Sequence, residues 1–289
     1  MIKQKKIIKS ILGYTIAFLA ITVAASLLRF WVFDIFLIPS KSMEPTLIPG
    51  DRILVLKPNI GARIYNDFSS IRTGKPDVRR TKGLRHIQHN DIIVFNYPGY
   101  DDRIFFNFNN VYAKRCIAVP GDTLYVEDGY FRIPEVNVEL GYLPGQNQLL
   151  NTPDELMPEG MLYDSIRSQN SVFNWTVKNL GPLYIPKKYS TIQLTSYNLP
   201  IYSPAIEYET GLKPYIVEGN IIHDGKCINR YTFLTNYYFA CGDNIVSSFD
   251  SRYWGFIPEE FIMGVTNVVL LNFDKNKRGF KFSRIFKVM

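Results

Sequence analysis

The chain has 289 residues, enough for one large domain or two modest ones, and its hydrophobic fraction of 46% allows a sizeable core. Part of its net charge of +7 is gathered beside an apolar N-terminal segment, in Lys3, Lys5, Lys6 and Lys9, and more lies in "DKNKRGFKFSRIFK" (274–287); basic charge beside an apolar run points to anionic lipid and argues against nucleic acid as partner. Three cysteines without a CxxC pair argue against a zinc site and a dense disulfide framework, leaving open one bridge, between Cys227 and Cys241.

In chain order, residues 1–9 form a basic tail. The next stretch, "SILGYTIAFLAITVAASLL" (10–28), carries no charge. As a helix it spans about 28 Å, close to a bilayer core. With lysines before it and Arg29 after it, the positive-inside rule puts residues 1–9 in the cytoplasm, makes 10–29 a transmembrane anchor and exports 30–289 to the extracytoplasmic, periplasmic side. Phe30, Trp31 and Phe33 stand where an aromatic belt forms at the membrane exit. A cleaved leader is the competing reading, since "AAS" (24–26) has the small residues of a cleavage site. The length of the uncharged run, and its apolar continuation through "FWVFDIFLIP" (30–39), favour an uncleaved anchor.

Beyond the anchor the composition favours strands and turns. Strand-like runs are "DRILVLK" (51–57), "DIIVFNYP" (91–98), "VYAKRCIAV" (111–119), "DTLYVEDGYFRI" (122–133), "TIQLTSY" (191–197), "PYIVEGNIIHDG" (214–225), "RYTFLTNYYFACGD" (230–243) and "GVTNVVLLNF" (264–273). The Asp-Gly pairs in "VEDGYF" and "IHDGKC" predict hairpins. Helical patterns are sparse, with a turn or two expected in "NTPDELMPEGMLYDSI" (151–166). Two segments read as insertions: about 58–90, basic and polar, and about 134–229.

The three histidines, His86, His89 and His223, sit in polar loop contexts and read as solvated, so a histidine base or metal site is not expected. A serine nucleophile can use a lysine instead, provided burial lowers its pKa enough to leave it neutral. Lys114 suits this role best. The period-2 alternation of its strand puts it on one face with Tyr112, Cys116 and Ala118, and puts Ala113, Arg115, Ile117 and Val119 on the other. An edge-strand lysine that discourages aggregation fits the same strand. "PSKSM" (39–43), taken alone, is a Ser-rich turn, and Lys41 there reads as a charged loop residue.

Four segments then occur in order behind the anchor: "IPSKSMEPTLIPGD" (38–51), "DIIVF" (91–95), "YAKRCIAVPGD" (112–122) and "GDNIVSSFDSRYWGFIP" (242–258). Together they resemble the conserved boxes of bacterial type I signal peptidases, Ser/Lys-dyad serine endopeptidases of peptidase family S26. With the anchor, the resemblance covers about a quarter of the chain and neither insertion. It implies a mainly β fold, an antiparallel body with coiled connections behind one N-terminal transmembrane helix. It also implies a membrane-bound enzyme that removes signal peptides from exported preproteins after small residues of the Ala-x-Ala type, with no cofactor or metal. The partners would be exported preproteins and the lipid bilayer, and the location that of a single-pass protein of the inner (cytoplasmic) membrane; the oligomeric state stays open, with a monomer favoured.

Position by position, the resemblance makes Ser42 the nucleophile and Lys114 the general base. Ser40 would join the Ser42 N–H in the oxyanion hole, and Ser248 would orient the lysine. Asp250 with Arg252, and Asp243 with Arg115, would brace the site as charged pairs. Phe36, Ile38, Pro39, Met43, Leu47 and Ala113 would line shallow apolar subsites, with Ala113 smaller than the branched residue usual there and the pocket wider for it. The chain departs from the pattern at Ile245 and Val246, where polar or basic residues are usual, and at Asn90, where glycine is common.

Overall fold

The computed structural model describes residues 2–100, 103–153, 175–274 and 279–289. Most of the 151–166 segment, where a helical turn is expected, and part of the basic stretch 274–287 lie outside the described residues. A single helix, α1 (Ile2–Trp31), leads into strands β1 (Phe33–Leu37), β2 (Asp51–Leu56), β3 (Arg63–Asp67), β4 (Asp77–Arg80), β5 (Ile92–Tyr100), β6 (Arg103–Ala118), β7 (Thr123–Glu127), β8 (Tyr130–Arg132), β9 (Leu180–Tyr184) and β10 (Thr191–Gln193). There follow β11 (Tyr215–Val217), β12 (Asn220–His223), β13 (Lys226–Cys227), β14 (Arg230–Thr232), β15 (Tyr237–Cys241), β16 (Ile257–Pro258), β17 (Ile262–Asp274), β18 (Gly279–Phe280) and β19 (Lys287–Val288). The fold is mainly antiparallel β. Its largest sheet has the order β1-β2-β17-β5-β6-β15-β16, with β18 and β19 paired to β17.

The sheet separates two apolar clusters, and alternation decides which residue enters which. On β5 and β6, Ile93, Phe95 and Cys116 point into the larger cluster, while Val94 and Ala113 face the smaller one, built around Ile38, Met43, Leu47, Ile53, Val55 and Val269. Both Asp-Gly turns form as the sequence predicts. Asp128 and Gly129 (φ 50° and 88°) and Asp224 and Gly225 (49° and 69°) are left-handed in pairs, as a type I′ hairpin needs. Glu218 and Gly219 (48° and 81°) make a third such turn that the sequence reading did not single out.

Several expectations are corrected. "RYTFLTNYYFACGD" is two strands in different sheets, because the N–H groups of Leu234 and Thr235 turn aside to the buried Glu209 carboxylate, at 2.9 and 3.1 Å. "TIQLTSY" is a strand only over Thr191–Gln193; beyond it Thr195 and Asn198 bond each other's backbone N–H and open a helix, Leu199–Thr210. That helix ends on left-handed Gly211 and buries Leu199, Ile201, Tyr202, Ala205 and Ile206 in the larger cluster. A second helix, Leu143–Asn151, also lies in the 134–229 segment, whose described residues share the main core. The 58–90 segment is likewise tied in. Arg63 donates to the Asn96 side chain and to the Glu260 and Phe261 carbonyls, and Arg80 donates to Gly61, Glu259 and Ile262 carbonyls. Burial lowers the Arg63 pKa to about 10 and that of Arg80 in the same direction. All three cysteines are free, with Cys241 buried and Cys227 exposed, so the bridge left open by their spacing is not formed.

Candidate active site

The loop between β1 and β2 carries Ser40 and Ser42. Its ends are pinned by Ile38 N–H to Asp51 O (2.8 Å) and Gly50 N–H to Ile38 O (2.9 Å). Ser40 and Lys41 are exposed, Ser42 is half-buried, and Met43 and Leu47 are buried beneath them. Ser40 Oγ and Ser42 Oγ lie 3.3 Å apart.

From below, Asp51 holds the loop's far end. It is fully buried, and its carboxylate accepts from Ile48 N–H, Asn272 Nδ2 (both 2.9 Å) and the Arg284 guanidinium. Asn272 also donates to Pro49 O at 3.0 Å and Arg284 to Thr46 O at 2.9 Å. On the other side Asn244 N–H donates to Ser42 O (3.1 Å) and Asn244 Nδ2 to Lys41 O (3.2 Å). Asn244, Asn272 and Arg284 went unnoticed in the sequence. Asn244 lies in the quoted "GDN" box; nothing local marks the other two.

Lys114 enters from β6. Its side chain is 1% exposed, and its Nζ donates to Ser248 Oγ at 2.9 Å and lies over the Tyr112 ring, 5.9 Å from its centroid. Desolvation pulls the Lys114 pKa down to about 8; Asp250 opposes the shift and Arg252 adds to it. Burial alone would raise the Asp250 carboxyl, but the Arg252 guanidinium, together with Lys114 and the Gly242 N–H, outweighs it and holds Asp250 below its ordinary value. Arg252 is raised in turn, since Asp250 outweighs its own desolvation. The pair is bidentate, at 2.8 Å for both contacts, and Asp250 also accepts from Gly242 N–H at 3.0 Å. Arg252 Nη2 reaches Ile245 O (2.8 Å), so one pair organises the whole turn that bears Ser248.

Gly242 stands between the two halves. A Cβ there would meet Ser248 Oγ at 2.2 Å and Ser42 O at 2.3 Å. The Ser42 backbone and the partner of Lys114 thus face each other across a gap that only a glycine leaves open. Among the described residues no hydrogen bond joins Ser42 Oγ to Lys114 Nζ, a spacing that free enzymes often show before substrate closes the site.

Arg115, on the opposite face of β6, holds Asp243 in a second bidentate pair (2.7 and 2.6 Å) and donates to Asn90 O at 3.0 Å. Asn90 is left-handed at φ 68°, a conformation that asparagine tolerates in place of glycine. Its side chain accepts from Gly141 N–H and donates to Glu139 O, both at 2.7 Å, fastening the start of the 134–229 segment. The helix Leu143–Asn151 packs on the turn Ile245–Ser247, with Ile245 buried and Val246 against the same core, which accounts for apolar residues there.

A cavity of about 340 Å³ opens beside Ser42, lined by Phe36, Ile38, Pro39, Ser40, Ser42, Met43 and Ala113 and by Ile53, Val94, Val111 and Tyr112. Leu47 is not among the residues that line it; its side chain packs in the cluster underneath, with Met43 and Ile53. Ile53 and Val94 were legible as inward positions of their strands but were not singled out. His89 is also not a solvated loop residue. It is half-buried, with Nε2 2.8 Å from the Asp122 carboxylate; His86 is exposed and His223 bonds Thr210. Among the described residues no group of three or more His, Cys, Asp or Glu could hold a metal.

Residues 11–195 and 206–271 match the family described as "Signal peptidase, peptidase S26". Signal peptidase I of Buchnera aphidicola subsp. Schizaphis graminum (strain Sg) is 27% identical over 267 residues, covering 90% of this chain and 76% of that protein. Signal peptidase I of Aquifex aeolicus (strain VF5) is 28% identical over 251 residues, covering 86% and 80%. A solved signal peptidase I from Enterococcus faecalis V583 is 22% identical, covers 63% of this chain and 98% of its own, and has a TM-score of 0.29, too low to carry weight.

Proposed function

The chain belongs to the signal peptidase family, peptidase S26, and on that premise we propose that it removes N-terminal signal peptides from exported preproteins with Ser42 as nucleophile and Lys114 as base. It is a serine peptidase, a hydrolase. The observation that carries the dyad is a fully buried lysine, its pKa drawn down to about 8, held by Ser248, whose Oγ faces the backbone of the accessible serine loop across the width of Gly242.

In this reading neutral Lys114 takes the Ser42 proton as Oγ attacks the scissile carbonyl. The oxyanion forms between Ser42 N–H and Ser40 Oγ, and one such donor is worth about 3–4 kcal/mol at the transition state. Protonated Lys114 then gives its proton to the leaving amine, and later activates the water that hydrolyses the acyl-enzyme. Ser248 orients the lysine; Asp250 with Arg252 and Asp243 with Arg115 brace the turn and the strand. The cavity by Ser42, walled by Phe36, Ile38, Pro39, Met43 and Ala113, suits small side chains at the first and third positions before the cut.

The anchored topology is part of the proposal. Ile11–Trp31 is long and apolar enough to cross a membrane, and none of it is buried by the rest of the protein. Residues 1–9 would stay in the cytoplasm, 10–29 would span the inner membrane, and 30–289, with insertions at about 58–90 and 134–229, would form the extracytoplasmic domain.

Purified Ser42→Ala and Lys114→Ala proteins should lose cleavage of an Ala-x-Ala preprotein by about 10³-fold or more while unfolding cooperatively near the wild-type temperature. A folded variant that keeps most of its activity would overturn the dyad.

A further inference from the structure

The junction between α1 and the sheet uses side chains that take no part in the site. The last carbonyls of a helix have no partner within it. Here Lys57, just past β2, supplies one: its Nζ donates to Arg29 O at 2.7 Å and to Phe30 O at 3.3 Å. Its backbone N–H donates to Val32 O at 3.0 Å, and Val32 N–H still donates back to Leu28 O at 2.8 Å. Asp34 completes the junction, with one carboxylate oxygen 3.2 Å from Lys57 Nζ and the other 3.2 Å from Arg29 Nε. The Lys57 and Asp34 side chains are only 13% and 14% exposed.

A cation at a helix C-terminus is favoured by the helix dipole, and carbonyls near hydrocarbon have little water to turn to. Ordering and desolvating a lysine there costs side-chain entropy and hydration. A simple tether needs neither. No free linker follows, either. β1 begins two residues after α1 and pairs along its whole length with β2, from Phe33↔Leu56 to Leu37↔Arg52. It then delivers Ile38, Pro39 and Ser40 to the cavity wall. Five residues of strand rise about 16 Å, so the helix end and the cavity are joined by one short, fully paired element.

We propose that Lys57 and Asp34 clamp the anchoring helix rigidly to β1, so that this joint sets the height and tilt of Ser42 over the bilayer and thereby selects which bond of a membrane-inserted preprotein is cut. The clamp rests on the anchored-peptidase reading above. Lys57 and Asp34 are positioning residues; they touch neither the cavity nor the dyad.

The full-length chain in lipid vesicles provides the test, with two substrates sharing one cut site: a membrane-inserted preprotein and a short soluble peptide. Lys57→Ala and Asp34→Ala should lower kcat/KM on the inserted preprotein by roughly tenfold to a hundredfold and displace some cuts by one or more residues, seen by mass spectrometry. On the peptide they should stay within about twofold of wild type. Lys57→Arg, which keeps the charge and the donors, should restore both rate and cut site. Equal losses on both substrates, or no loss on either, would overturn the clamp. Amide hydrogen exchange at Val32 and Lys57 reads the joint without any cleavage: slow exchange in wild type and fast exchange in Lys57→Ala is expected, and fast exchange in wild type would sink the idea. A protected joint in a wild type that cuts neither substrate would instead break the peptidase reading.

Discussion

The two halves of the site are built by opposite means. Ser42 sits on a loop that exposes Ser40 and Lys41 beside it and is held from behind, through its backbone, by Asn244 and by Asp51 with Asn272 and Arg284. Lys114 sits inside a strand, sealed from water and held through its own side chain by Ser248, with the Asp250–Arg252 pair behind. The difference follows from chemistry. A hydroxyl is neutral in water, so a nucleophilic serine needs access more than shelter. A lysine is charged in water, so a basic lysine must be stripped of solvent, and the groups stabilising its surroundings must be buried with it.

Substitutions on the lysine side should therefore act through buried charge, and those on the serine side through geometry. The largest effect is expected from Arg252→Ala, which leaves Asp250 buried without its partner and should cost about 3–5 kcal/mol in denaturant unfolding. Because Arg252 lowers and Asp250 raises the Lys114 pKa, the surviving protein should show its activity profile moved to higher pH. A destabilised variant whose profile does not move would separate the brace from the base. Wild-type kcat/KM should rise about tenfold per pH unit below about 8 and flatten above it, since only neutral lysine accepts the proton. The same shift has a stability sign. Lys114 drops from 10.5 to about 8 on folding, so between those values the unfolded chain binds more protons, and its contribution to stability is lost as pH falls from about 10.5 to about 8. Smallest should be Asn244→Ala, which removes one side-chain hydrogen bond from the serine loop. A plateau lowered by about tenfold or less is expected, with the midpoint of the pH profile unchanged. A moved midpoint would show that the two halves are coupled more tightly than their construction suggests.

Legibility in the sequence divides along the same line. β2, β5, β6 and β17 could be read because alternation and turn residues are local, and the burial of Lys114 was legible for that reason. Ser42 was not: "PSKSM" reads as an ordinary turn, and only the resemblance to a family gave it a role. The helix Leu199–Thr210 was hidden by Pro204 in its interior, although Pro200 in its first turn and Gly211 at its end are ordinary helix punctuation. Arg63 and Arg80 belong to a stretch that reads only as basic and polar, because charge alone does not reveal that backbone carbonyls from residues 259–262 will receive it. Arg284 could not be found at all, since its partner lies 233 positions away and only the closed sheet brings them together.

That separation bears on timing during synthesis. The segment carrying Ser42 emerges early, but β17, Asn272 and Arg284, which close the sheet and seat the loop, come late. At roughly 5–20 residues per second, the interval is on the order of 10–50 seconds. Throughout it the nascent chain holds Ser42 without the groups that seat its loop. In order of synthesis the serine loop is thus made first and seated last.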